Sequence, residues 1–162
     1  MHVFDTAELR LLRAVERHIS VRRRIWQSVR ALGALSLLGV GAVHLQQYLA
    51  LYSVIPTIGT LFLLNFAGAT AIGLGLLAPV EHLLGRFGGA ALALLTAGGI
   101  GLAGTAFVVL LISERTPFFG FMEPGYDPTA IMASRIAELA AVSLLGSFLL
   151  VRFVVRAPVG RW

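Results

Sequence analysis

The sequence contains no cysteine, which excludes disulfides, thiolate metal sites and cysteine nucleophiles together. It contains no lysine either, so all 13 of its basic residues are arginine. Charge of any kind is scarce: 13% of the 162 residues are charged, against roughly 25% in an ordinary globular domain. Residues 31–80 and 87–113 hold no Asp, Glu, Lys or Arg at all. Both runs exceed the roughly 18 apolar residues that mark a membrane span. These absences exclude a water-soluble enzyme, a disordered tail and a nucleic-acid-binding domain. There is no HExxH motif, and no solenoid-length repeat. Gly98-Gly99-Ile100-Gly101 lies inside an apolar run, without the Lys and Ser/Thr that a phosphate loop needs.

What is present is apolar, at 57% of the chain, with a net charge of +5 concentrated at one end. The pattern predicts an all-α polytopic membrane protein: a four-transmembrane-helix bundle with an N-terminal amphipathic interfacial helix. Residues 1–30 read as that basic arm. Leu11, Leu12, Val15 and Ile19 recur at helical spacing, with Arg10, Arg13, Arg17 and Arg24 on the other side. Trp26 suits the interface, and Arg22, Arg23 and Arg24 suit anionic lipid headgroups. Three acids and the long apolar run that follows argue for a retained arm rather than a signal peptide. Spans are expected at about 31–52, 57–80, 88–112 and 129–155, with 157–162 as a tail. Pro56 disfavours helix at Ile55 and sets the first turn.

Eleven arginines fall on the side of the two termini and one, Arg115, on the opposite side. By the positive-inside rule both termini are expected in the cytoplasm of a bacterial plasma (inner) membrane. Small residues recur four apart in the third span (Gly89, Ala93, Ala97, Gly101, Thr105) and in the second (Asn65, Ala69, Gly73). Such spacing lets helices pack closely in lipid, here within the bundle or, as the alternative, between copies.

Polar groups inside spans are costly and mark candidate sites. The set is His44 with Tyr48, then Asn65, Thr105, Arg135 and Glu138. By helical rise His44, Asn65, Thr105 and Glu138 each lie about 10–13 Å below the outer surface, so they are expected to share one layer. Arg135 and Glu138, three apart, can pair along the helix. Asn65 could orient the His44 imidazole by a hydrogen bond. A carboxylate near a neutral imidazole suits proton handling, although a lone His hydrogen-bonded across the bundle is the plainer reading. No metal site or cofactor is assigned. The loop from Ser113 to Pro128 is too aromatic for a solvated linker. It reads as a plug or interfacial belt, or as a lid in which Phe119, Phe121, Glu123 and Asp127 cover the polar layer.

Gly41-Ala42-Val43-His44-Leu45, Ile55-Pro56-Thr57-Ile58-Gly59, Leu61-Phe62-Leu63-Leu64-Asn65, Phe119-Gly120-Phe121-Met122-Glu123 and Glu138-Leu139-Ala140-Ala141 resemble small four-span membrane proteins of high-GC Gram-positive bacteria. The resemblance spans about residues 31–150. It implies the bundle and carries no activity. The expected function is therefore non-enzymatic: an outward-facing polar pocket for a small ligand, proton or ion, or an accessory subunit of a membrane complex. The alternatives are a membrane-embedded enzyme or redox subunit acting on a lipid-soluble molecule such as a quinone, and a small oligomeric transporter.

Overall fold

The computed structural model describes residues 6–154, and no strand occurs among them. The arm's expected apolar side chains and the 157–162 tail lie outside the described set. Helix α1 runs from Thr6 to Ala50 and is followed by a 3-10 turn at Tyr52–Val54. Helix α2 covers Pro56–Leu77, the single turn α3 covers Val80–Leu83, α4 covers Gly88–Ser113 and α5 covers Pro128–Leu149. Four segments are long and apolar enough to cross a membrane: Ser20–Ala50, Pro56–Leu77, Gly85–Ser113 and Pro128–Arg152.

Several boundaries differ from expectation: the first span ends at Ala50 rather than Tyr52, and the α-helix of the last ends at Leu149 and continues as a π turn to Val154. The arm and the first span are one uninterrupted helix, because nothing between Ser28 and Gly33 breaks it; the apolar run simply continues the helix. Arg22, Arg23 and Arg24 are exposed on that helix. The second span stops at Leu77 rather than Val80, because Pro79 drives Ala78 into extended backbone (φ −67°, ψ 152°).

The four long helices close a ring in which α1 lies between α2 and α5, and α4 between α5 and α2. The end bearing the chain termini is knit by charge. Glu81, between α2 and α4, receives Arg30 of α1 at 3.3 Å and Arg152 beyond α5. Above it the bundle is solid, with Ala34, Leu37, Leu76, Leu92, Leu145 and Phe148 fully or almost fully buried. The outside is as apolar as the inside: Leu64 is 61% and Leu94 74% exposed.

The small-residue stripe of α2 packs as expected. A Cβ on Gly73 would lie 2.8 Å from Leu38 of α1. The stripe of α4 does not. Gly89, Ala97, Gly101 and Thr105 are exposed, and α4 instead buries Leu92, Thr96, Gly99 and Ala103. At 3.6 residues per turn a step of four drifts about 40°, so the series from Gly89 to Thr105 winds through about 160° and cannot hold one packing face.

Gly59 is required where the chain turns into α2, since a Cβ there would lie 2.6 Å from the Tyr52 carbonyl oxygen. Gly89 meets nothing within 4 Å. Gly59→Ala is therefore expected to destabilise by about 1–3 kcal/mol. Gly89→Ala should stabilise, by about 0.5–1 kcal/mol of helix propensity. Thermal unfolding of the detergent-solubilised variants checks this opposition in sign.

Candidate functional site

The half of the bundle nearer the 113–128 loop is hollow. It encloses a cavity of about 650 Å³, a volume that suits a drug-sized ligand. All four long helices contribute to its wall. His44 and Gln47 come from α1, Asn65 from α2, Thr105 from α4, and Ser134 and Glu138 from α5. His44, Asn65, Thr105 and Glu138 thus line one space. Tyr48 and Arg135 are not among its lining residues.

The internal bonding of this set departs from two expectations. Arg135 does not pair with Glu138; it donates to both carboxylate oxygens of Glu114 at the end of α4. Helical side chains lean toward the N-terminus of their helix, which carries Arg135 toward the loop end and away from Glu138. The same lean brings Glu138 to Ser134, whose hydroxyl donates to Oε1 at 2.8 Å. Likewise Asn65 makes no hydrogen bond to His44. The imidazole Nδ1 donates to the Val40 carbonyl one turn back, at 2.9 Å, and the ring packs 5.0 Å from Phe62.

Two polar atoms of the wall are left over. Glu138 is 1% exposed, and its Oε2 has no hydrogen-bond partner. Asn65 Oδ1 is buried and equally unpartnered. An unmet buried acceptor costs about 1–3 kcal/mol, so two on one cavity call for an occupant. Among the described residues no group of three or more His, Cys, Asp or Glu side chains could hold a metal ion.

The loop closes the cavity at the end away from the chain termini. Phe118–Phe121 form a tight reversal, with Phe119 at φ 49° and Gly120 at φ 77°. Phe121 packs edge-on against Tyr52, which stacks on Phe62 at 4.5 Å. Glu123 turns inward, 7% exposed, and accepts from the Tyr52 hydroxyl and the Gly125 and Tyr126 amides. Burial, then the bond to Glu123, raises the Tyr52 phenol above its ordinary range and keeps it a donor. Phe119, Met122 and Tyr126 point outward, at 68%, 50% and 67% exposure. Phe121, Glu123 and Asp127 thus line the cavity as a cover, whereas Phe119, expected with them, faces away from it.

Asp127 works at the same junction. Its Oδ1 accepts from Ala130 N, capping α5 behind Pro128, and its Oδ2 accepts from Gln47 Nε2 at 2.9 Å. These bonds, the Ala130 amide first, hold its carboxyl below the usual aspartate value of 3.8. A depressed folded value stabilises above the unfolded pKa and is lost as pH falls through the folded one. The Gln47–Asp127 link should persist at pH 4 and release only in stronger acid. The Gln47 side-chain amide resonance checks this; release already near pH 5 would contradict it.

Sequence reasoning missed Ser134, the clamp between Tyr52 and Glu123, and the partners of Glu81. Ser134 had a signal, four residues before Glu138. The Glu81 partners, far away in sequence, had none. The chain matches no family model, and neither a curated protein nor a solved structure aligns with it. Fold and site together define a four-helix chain, its helices long and apolar enough to cross a membrane, with a capped internal cavity.

Proposed function

We propose that this chain is a multi-pass membrane protein that binds a small, largely apolar molecule in the cavity beneath its loop, without transforming it. The observation that carries the reading is Glu138: a carboxylate kept in an apolar wall with one oxygen unpartnered. Buried polar groups that only stabilise are normally satisfied. Clefts lined mainly by apolar side chains with a few placed polar groups are the usual form of small-molecule sites.

The membrane is a bacterial plasma membrane in this reading. The arginine-rich end, with Arg22, Arg23 and Arg24 at anionic headgroups, faces the cytoplasm. The loop and its aromatic belt face outward. Support comes from the eleven-to-one arginine asymmetry and from the exposed apolar sides of all four long helices.

Native mass spectrometry of gently extracted protein tests the binding claim. The expected spectrum shows the chain with a bound organic molecule that is absent from the Glu138→Leu variant. A wild-type spectrum free of any such mass, or one in which Glu138→Leu retains it, would overturn the reading.

A further inference from the structure

The cavity is shut at the loop end but not at its side. From the terminal end to the middle of the bundle α2 and α4 touch closely. A Cβ on Gly75 would lie 3.2 Å from Leu95, one on Gly98 would lie 3.6 Å from Ile72, and one on Gly68 would lie 2.9 Å from Leu102. Toward the loop the cavity is lined from both helices, by Leu61 and Leu64 of α2 and Gly101 and Thr105 of α4. A Cβ on Gly101 would meet no heavy atom within 4 Å. Gly101, Thr105, Leu61 and Leu64 all line the cavity and are all exposed, Leu64 at 61%. A residue that does both stands at an opening. This one lies between two apolar helices, at the depth of Asn65.

From this geometry we infer that the ligand enters sideways from the lipid, between α2 and α4, and is an amphiphile with a hydroxyl head and an apolar body. The inference rests on the binding reading above and adds the route and the chemical class. Asn65 Oδ1 can only accept, so the head must donate. Glu138 Oε2 accepts when ionised and donates when protonated, and a hydroxyl answers both states. The apolar body then rests on Leu61, Leu64 and Leu102 and can trail into the acyl layer through the gap. A water-borne ligand has no comparable way in, because Tyr52, Phe121, Glu123, Gln47 and Asp127 are bonded or stacked across the top.

The test uses the whole protein in phosphatidylcholine vesicles with two photoactivatable probes: a diazirine-bearing octadecanol and its methyl ether, which cannot donate. Labelled residues are mapped by peptide mass spectrometry. The alcohol is expected to label the 98–110 and 130–138 segments about tenfold more than the ether does, the factor that one hydrogen bond carries. Gly101→Leu, whose side chain grows into open space, should lower that labelling about tenfold by filling the gap. Gly89→Leu, equally open but near the other end of α4, should leave it unchanged. Equal labelling by alcohol and ether would overturn the hydroxyl head. Undiminished labelling of Gly101→Leu would overturn the lateral route. In both cases the pocket remains a binding site. If neither probe labels the cavity while native mass spectrometry still finds a bound molecule, the inference fails and the binding reading stands. Rapid disulfide dimerisation of Thr105→Cys, clean to read in a chain without cysteine, would show a second copy covering the gap and would also overturn the route.

Discussion

Glu123→Ala is expected to release the 113–128 loop. The carboxylate is the shared acceptor of the Tyr52 hydroxyl and of two loop amides, and its loss leaves the buried phenol without a partner. Hydrogen bonds to a charged group, with the orphaned donor included, are worth about 2–3 kcal/mol here. Locally that corresponds to amide exchange about a hundredfold faster over residues 118–127. The Arg30–Glu81–Arg152 cluster at the other end should keep its protection. Glu123→Gln retains one oxygen for the loop amides and turns its NH2 to the phenol, whose oxygen then accepts, so it should exchange closer to wild type than Glu123→Ala. Hydrogen exchange in detergent or nanodiscs checks both variants. Unchanged protection in Glu123→Ala would mean that aromatic packing alone holds the plug.

Glu138→Leu is expected to make the empty protein more stable. The wild-type carboxylate satisfies one oxygen with Ser134 and leaves the other bare in an apolar wall. A leucine of similar size removes that penalty, for a gain of about 1–3 kcal/mol. Ser134 then turns its hydroxyl to a backbone carbonyl one turn back, as helical serines do. Stability bought at the expense of binding is the mark of a functional group. Thermal unfolding of ligand-free wild type and variant measures the difference. A lower melting temperature for Glu138→Leu would make the carboxylate a structural member of the bundle.

Much of this architecture was legible in the residues. Runs with few or no charges located the four long helices, Pro56 placed the turn into α2, and helical rise pointed to the shared space that His44, Asn65, Thr105 and Glu138 line. Depth is a one-dimensional quantity, and chain spacing supplies it. Azimuth and reach are not. Arg135 and Glu138 are near enough in sequence to pair, yet their side chains lean along the helix toward different partners, Glu114 and Ser134. The series from Gly89 to Thr105 looked like a packing stripe because four-residue spacing approximates a helical repeat over two turns and fails over four. The gap between α2 and α4 has no sequence signature at all. It arises where the two helices part, and only the assembled bundle shows which glycines stand beside it.

A membrane-dissolved molecule is expected to occupy the cavity and to meet Asn65 and Glu138. A crystal structure grown from a lipidic mesophase, with the protein never stripped of lipid, tests it most directly. Elongated density is expected to reach from the gap beside Gly101 and Thr105 to a polar contact with Glu138 Oε2. A cavity holding only water, or one collapsed with Glu138 and Asn65 bonded to protein partners, would contradict it.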